Sequence, residues 1–274
     1  MAIETGTVAG SDAPAAAPGP RHAKPRSDRV LTSIGELLIT AGVTLGLFVV
    51  WQLFYTDIQA GRLQDAALGE LDWVDPVAAH GTTDSGLSIP EAVQLIPQDQ
   101  MHFTLDGAPI VPTPRIAEAF ATLMVPRWGG GYVKPISEGV SRREVLDTLG
   151  IGHYPNTAMP GELGNFAVAG HRTTYGKPFA DVDQLKIGDA LVVQTADAWF
   201  VYRVTDTSIV LPKDVYVIDP NPANPGAAPV TASITLTTCH PKFSAAQRFI
   251  VHGEFVYWAP VGVGVPPELY EELT

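Results

Sequence analysis

The 274-residue sequence is poor in cysteine and in basic side chains. Cys239 is the only cysteine, which excludes an internal disulfide, so the fold must rest on a buried core. Lys and Arg number 17 against 29 Asp and Glu, a formal net charge of −12. That balance argues against a nucleic acid as partner, because phosphate backbones attract basic surfaces.

Charge is absent altogether from a run of 19 residues, Leu37 to Tyr55. A helix of this length crosses a hydrocarbon layer of roughly 30 Å. A buried helix of a soluble core would show a polar face, which this run lacks. A cleaved signal peptide is a further alternative, but its apolar region is usually about 7–15 residues. We interpret residues 30–55 as a single, uncleaved transmembrane anchor.

The flanks of this run predict its orientation. Residues 1–29 have four basic side chains and almost no large apolar ones, which predicts a disordered tail. Just after the run, Arg62 is the only base among several acidic residues. The positive-inside rule therefore places the tail in the cytoplasm and all residues after 56 outside the cell membrane.

Two segments flank the predicted folded domain at residues 113–260. Residues 56–112 are acidic and interrupted by prolines, and we expect an extracellular stalk there. As a flexible chain, the stalk would span about 40–45 Å. Its short apolar piece at 93–96 offers an alternative in which the stalk docks on the domain. Residues 261–274 form a C-terminal tail.

Short strand-like runs separated by turn signals fill the domain. The spacing Ser141-Arg142-Arg143-Glu144 has the form of a capping box, which predicts a short helix over 142–149. Many short strands predict an all-β fold, a closed or nearly closed β-barrel with short helices. The predicted strands cover 165–169, 190–195, 199–205, 208–211, 215–218, 231–238 and 248–258.

Strand alternation places Cys239 beside a cation. Side chains alternate between the two faces of a strand, so Thr235, Thr237 and Cys239 share one face, opposite Leu236. If 231–239 pairs antiparallel with 248–258, Cys239 and Arg248 become neighbours. A thiol beside a positive charge is a candidate nucleophile, although a buried, inert cysteine is the common alternative.

An imidazole is predicted at the end of another strand. The buried run 165–169 ends at Gly170-His171, and alternation directs His171 away from the apolar Phe166 and Val168. A thiol, an imidazole and a guanidinium are thus all expected on polar faces at strand ends, where loops meet.

These residues resemble a known family. The runs GNFAVAGHRTTYGKPF at 164–179 and TLTTCHPKFSAAQRFIVHG at 235–253 resemble the sortases, and most of all class E sortases of actinobacteria. Sortases are membrane-anchored cysteine transpeptidases of Gram-positive bacteria. The resemblance covers roughly residues 112–258 and implies a sortase-type β-barrel with the catalytic domain outside the cell.

The resemblance implies a role for each matching residue. Cys239 would be the nucleophile that forms a thioacyl-enzyme, His171 the general acid and base, and Arg248 the group that holds substrate and stabilises the oxyanion. Substrate contacts are expected from four further residues, namely Thr237, Thr238, Tyr154 and Tyr175. No cofactor or metal is expected.

The resemblance also implies the partners. The substrates would be surface proteins with a C-terminal sorting signal of the Leu-Pro-x-Thr-Gly or Leu-Ala-x-Thr-Gly type, cut between Thr and Gly. The acyl group would pass to an amine of a cell-wall (peptidoglycan) precursor. In a pilin-polymerising sortase, the alternative, a lysine of another subunit accepts it.

Other interpretations fit the residues less well. His153, His171, Cys239 and His240 are zinc-ligand types, but their spacing is irregular. L,D-transpeptidases place their cysteine in a Ser-His-Gly-Cys-x-Arg run, which is absent, and papain-like peptidases have the cysteine before the histidine. The non-enzymatic alternative is a membrane-tethered β-barrel that binds ligands and has an inert Cys239.

Overall fold

The computed structural model describes residues 26–74 and 93–270. The chain divides into two compact units, Met1–Val49 and Val50–Thr274. Most of the predicted tail 1–29, part of the predicted stalk at 75–92 and the last four residues of the predicted C-terminal tail lie outside the described residues.

A single long helix, α1, covers Arg26–Gly69. In the described part of the chain it is the one helix long and apolar enough to cross a membrane. Its apolar side chains face outward rather than into a protein core: Leu37 and Leu38 are 71% and 65% exposed. The helix is therefore a candidate membrane anchor and does not have the burial of a core helix.

The helix extends well past the predicted anchor at 30–55. Residues 56–69, predicted to begin the stalk, contain no proline that would interrupt it. Ala60, Gln64 and Ala67 recur at helical spacing and are buried. The first 14 residues of the predicted stalk are therefore structured and make contacts within the second unit.

Eight strands form a closed barrel in the order β1-β2-β3-β4-β7-β8-β6-β5. Two neighbouring pairs, β2–β3 and β4–β7, are parallel, and the others are antiparallel. The predicted all-β barrel is confirmed. The strands are β1 Ala119–Met124, β2 Val133–Glu138, β3 Ile151–His153, β4 Gly164–Ala169, β5 Ala190–Gln194, β6 Ala198–Val210, β7 Ala232–His240 and β8 Gln247–Pro260.

The barrel interior is filled by one face of every strand. Phe166 and Val168 of β4 meet Ile234 and Leu236 of β7 in this core, as their alternation predicts. The opposite face of β7 has the hydroxyl side chains and Cys239. Burying the apolar face thus fixes which side chains remain available on the outer face.

A second apolar cluster covers the outside of β1, β5, β6 and β8. Segments 93–101 and 261–270 cover it, and Ile96, Val265 and Leu269 are buried there. The backbones of these segments pair with each other, with Ile96 donating to Val265 at 3.0 Å and Val265 to Gln94 at 2.9 Å. Residues 93–96 therefore dock on the domain, the alternative left open by the sequence.

Three predictions differ in the structure. The strands predicted at 199–205 and 208–211 are one continuous strand, β6. The helix predicted over 142–149 is a single wide turn, Arg142–Leu146, and Ser141 makes no side-chain cap. Val145 is fully buried and its backbone carbonyl accepts several amides, so packing sets this turn rather than capping. The strand predicted at 215–218 is a 3₁₀-helix, because a four-residue apolar run does not distinguish the two.

A half-buried glycine against the core provides a test of this packing. Gly161 has φ +79°, and a Cβ at this position would overlap the ring of the fully buried Phe200. We expect Gly161→Ala to destabilise the fold by about 3–5 kcal/mol, since backbone strain and overpacking add. Urea unfolding of the full chain in detergent, followed by tryptophan fluorescence, measures this change.

Gly188→Ala is the matched control. Gly188 has a similar φ of +93° but nothing within 4 Å of the added Cβ. Its cost is backbone strain alone, about 1–2 kcal/mol. Equal losses in the two variants would contradict the packing described around Gly161.

Candidate active site

The candidate nucleophile and its cation lie side by side at the end of the β7–β8 pair. Cys239 and Arg248 are direct cross-strand partners, which confirms the register expected from alternation. The thiol is partly exposed rather than buried in hydrocarbon. Nη1 of Arg248 donates to the carbonyls of Ala245 and Gln247 at 3.0 and 2.9 Å, which holds the guanidinium at the base of the connecting loop.

The imidazole reaches the same place through the parallel pairing of β4 with β7. Ala169, the last residue of β4, is the partner of Thr237, and His171 and Cys239 each follow these partners by two residues. Past the end of β4, the Gly170 amide donates to the Thr237 carbonyl at 3.2 Å. The Thr238 hydroxyl donates back to the Gly170 carbonyl at 2.7 Å, so the two chains stay together up to the site.

His171, Cys239 and Arg248 line one open cleft of about 650 Å³. Three of the four predicted substrate contacts, Tyr154, Thr237 and Thr238, also line it. The fourth, Tyr175, lies outside this lining, with its ring centroid 5.1 Å from that of His171. The cleft therefore places a thiol, a proton-transfer group and a fixed positive charge within one space.

Hydroxyl groups on the floor of the cleft are already engaged with one another. The Thr237 hydroxyl donates to the Val168 carbonyl at 3.3 Å and lies 3.0 Å from the Tyr154 hydroxyl. Because the Thr237 proton is directed to that carbonyl, Tyr154 donates to Thr237. The Tyr154 ring is thereby fixed beside the outer face of β7.

A carboxylate that the sequence analysis did not identify contacts the imidazole. Nε2 of His171 lies 2.6 Å from Oδ1 of Asp147, and Nε of Arg142 lies 3.5 Å from the same oxygen. Asp147 directly follows the wide turn Arg142–Leu146. No motif marks it, because its approach to His171 depends on the shape of that turn.

A second contact missed from the sequence joins the residues that follow His171 and Cys239. The buried Arg172 donates through Nη1 to Nδ1 of His240 at 2.9 Å, and its Nη2 lies 3.0 Å from Asp183. Since Arg172 only donates, Nδ1 of His240 accepts and its ring proton is on Nε2. The guanidinium also lies over the ring of Phe249, 5.4 Å from its centroid.

The buried guanidinium of Arg172 affects the pKa of the Asp183 carboxyl group. Burial acts to raise the pKa of that carboxyl, but hydrogen bonds from its own amide and from Arg172 outweigh the effect and lower the pKa. Asp183 therefore stays ionised opposite Arg172. The ion pair anchors the start of the loop that follows His171.

His153 is structural. It is buried in β3, with Nδ1 2.6 Å from Glu138 and Nε2 near the Ala158 carbonyl and the Thr157 hydroxyl. Among the residues that the structure describes, no group of three His, Cys, Asp or Glu side chains is placed to hold a metal ion.

Comparison with known proteins places this geometry in a family. A family model described as a sortase domain matches residues 123–256. Sortase SrtE1 of Streptomyces coelicolor is 35% identical over 86% of the chain, and the chain spans 60% of its length. Sortase SrtE2 of the same organism is 31% identical over 98% of the chain and 99% of its own length.

A solved structure agrees with these relatives. SrtA sortase from Actinomyces oris is 41% identical, with a TM-score of 0.58 that covers 62% of this chain and 97% of that one. The similarity to these proteins therefore covers both the sequence and the arrangement of the strands.

The Arg172 contacts can be tested by a conservative substitution. We expect Arg172→Lys to cost about 2 kcal/mol of stability, because a lysine cannot bond His240 and Asp183 together or lie flat over Phe249. Urea unfolding of the full chain in detergent measures the loss.

Arg115→Lys is the corresponding control, since Arg115 forms an ion pair with Glu118 while 91% exposed. Such a pair contributes little, so we expect a change within about 0.5 kcal/mol. If Arg172→Lys lost no more stability than Arg115→Lys, the contacts of Arg172 with His240 and Asp183 would not stabilise the fold.

Proposed function

The chain belongs to the sortase family and is a cysteine transpeptidase, and we propose that it transfers surface proteins to an amine of the cell wall. In this proposal it cleaves a C-terminal sorting signal of the Leu-Pro-x-Thr-Gly or Leu-Ala-x-Thr-Gly type between Thr and Gly. The acceptor is an amine of a peptidoglycan precursor. The similarity to SrtE1 and SrtE2 supports the class E assignment on which this substrate class rests.

The observation that carries the proposal is the convergence of three side chains in one cleft. Cys239 pairs with Arg248 across the β7–β8 ladder, and the β4–β7 register brings His171 alongside. Cleaving an amide through a thioester needs a thiolate, a proton for the departing amine and positive charge near the developing oxyanion. The cleft offers one group for each need.

The first half-reaction forms the thioacyl-enzyme. The Cys239 thiolate attacks the Thr carbonyl carbon, and Arg248 stabilises the negative oxygen that results. As the intermediate collapses, the C–N bond to Gly breaks and His171, protonated while Cys239 is a thiolate, gives its proton to the departing amine. A thioester on Cys239 and a free glycine amine are the products.

The second half-reaction reverses these roles. The acceptor amine attacks the thioester carbonyl, loses a proton to His171 and forms a new amide bond. The C–S bond breaks, and Cys239 returns to the thiolate. In this proposal Tyr154, Thr237 and Thr238 contact the bound peptide, which their position in the lining of the cleft supports. Tyr175 acts on the reaction through its packing against His171.

Asp147 orients the base in this mechanism. Its carboxylate accepts a hydrogen bond from Nε2–H of His171, which leaves Nδ1 as the ring nitrogen that exchanges protons with Cys239 and substrate. The negative charge also stabilises the imidazolium, which gives up its proton in the first half-reaction and forms again in the second. Asp147 is therefore a positioning residue for His171.

The proposal includes a membrane topology. In the proposal, the basic N-terminal tail lies in the cytoplasm and the barrel lies outside the cell. The outward-facing apolar side chains of α1 support a single membrane crossing. This topology puts the cleft in the compartment where surface proteins and wall precursors meet.

Replacing the nucleophile tests the proposed chemistry. We expect Cys239→Ala to release no glycine-containing fragment from a sorting peptide, because no thioester can form. Mass spectrometry of the wild-type chain with sorting peptides and candidate amines should instead detect the transpeptidation product.

The Cys239→Ala barrel should keep its unfolding midpoint, which separates a chemical loss from a folding loss. Turnover retained by this variant would remove Cys239 from the mechanism. A wild-type product formed only with a lysine side chain, and not with a wall-precursor amine, would favour the pilin-polymerising alternative.

The role of Asp147 predicts a kinetic signature. Asp147→Asn keeps the shape and an acceptor oxygen but removes the charge, so we expect kcat to fall about 10–100-fold with little change in KM. Steady-state cleavage of a sorting peptide measures both constants. Asp197→Asn, at an exposed position in the β5–β6 turn, should match the wild type; an equally active Asp147→Asn would refute the positioning role.

A further inference from the structure

The loop that follows His171 contains an uncommon backbone conformation. Tyr175, Gly176 and Lys177 have φ values of 56°, 74° and 35°, three consecutive residues in the left-handed region. For residues other than glycine, each such position costs about 1–2 kcal/mol. A loop of this kind persists only when its surroundings hold it in place.

The end of α1 supplies the contacts that hold this loop. Gln64 of α1 is fully buried, and its Nε2 donates to the Tyr175 carbonyl at 3.1 Å. Its Oε1 accepts from Nζ of Lys134 at 3.1 Å, so both ends of the amide are satisfied. A Cβ at Gly176 would overlap the Gln64 amide, which shows how closely the helix and the loop approach.

A second side chain of α1 makes matching contacts two helical turns earlier. Oδ1 of Asp57 accepts the Gly176 amide at 3.1 Å. Its Oδ2 lies 3.0 Å from Nζ of Lys177. Asp57 and Gln64 are seven residues apart and therefore lie on one face of the helix. Every residue of the left-handed run is thus bonded to α1.

The same loop contacts the imidazole. The ring centroid of Tyr175 lies 5.1 Å from that of His171, with the planes tilted by 35°. The backbone that bears the Tyr175 ring is fixed by the hydrogen bond from Gln64 to the Tyr175 carbonyl. The contacts therefore run without interruption from α1 through Tyr175 to His171.

We propose that Asp57 and Gln64, here called the α1 brace, position the loop 171–177 and through Tyr175 the imidazole of His171. The proposal rests on the proposed function, in which His171 moves the proton. It makes the segment just after the apolar run a working part of the transpeptidase rather than a spacer. Activity then depends on two residues that lie outside the barrel and outside residues 123–256, which the sortase-domain model matches.

The test uses the full chain in detergent or nanodiscs and measures cleavage of a sorting peptide. We expect Gln64→Ala to lower kcat about 10-fold with KM nearly unchanged, because a misplaced base slows proton transfer more than it weakens peptide binding. Gln94→Ala is the matched control. Gln94 also makes a long-range hydrogen bond, from Nε2 to the Val263 carbonyl at 3.2 Å, but neither residue lines the cleft.

A second substitution at Gln64 distinguishes the contact with the loop from the contact with Lys134. Gln64→Glu keeps an acceptor for Lys134 but has no N–H for the Tyr175 carbonyl. We expect it to lose as much kcat as Gln64→Ala. Recovery of wild-type kcat by Gln64→Glu would overturn the proposal, since the loss would then come from Lys134.

Asp57→Ala decides the matter if the Gln64 variants fail to fold, because Asp57 is partly exposed and its truncation removes both loop contacts, to the Gly176 amide and to Lys177. We expect a several-fold loss of kcat with an unchanged unfolding midpoint. Wild-type kcat in Asp57→Ala, or in a folded Gln64→Ala, would refute the brace. Wild-type chain that gives no cleavage above Cys239→Ala would instead refute the proposed function itself.

Discussion

The parallel ladder between β4 and β7 is the interaction on which the site depends. Its register pairs Ala169 with Thr237, and this pairing brings His171 and Cys239 into one cleft although 67 residues separate them. A slip by one residue would turn every side chain of β7 to the other face, burying Cys239 and exposing Leu236. The apolar core therefore sets the chemistry: the free energy of burying Leu236 holds the thiol in the cleft.

Much of this could be predicted because alternation and burial are properties of single strands. The outward face of Cys239, its pairing with Arg248 and the barrel itself followed from the period of the sequence and from a family resemblance in two runs. Asp147 and the contact of Arg172 with His240 did not follow. They depend on the exact path of a turn and of two loops, which no periodic pattern encodes, since side-chain approach there is set by packing from the rest of the molecule.

The boundary between anchor and domain was predictable only in part, for a similar reason. The loss of hydrophobicity after Tyr55 marks the end of the apolar run but not the end of the helix. The helix continues to Gly69, because the buried residues on one of its faces pack within the second unit. The hydrophobicity of a segment indicates whether it lies in lipid or in water. The position at which a helix ends depends instead on the contacts that its side chains make. A polar, acidic segment can therefore be as firmly structured as an apolar one.

A continuous helix at this boundary has a consequence for how partners meet. Gln64 follows Tyr55 by nine residues, about 13 Å of helix, so the loop that Gln64 contacts is separated from the end of the apolar run by only a short rise of helix. In the proposed membrane topology, encounters with substrates take place in a thin layer beside the bilayer. Substrates that are themselves tethered to the same bilayer diffuse in two dimensions and are present at a high effective concentration, while freely dissolved proteins gain no such advantage. Selectivity for tethered partners would thus arise from geometry before any residue of the peptide is recognised.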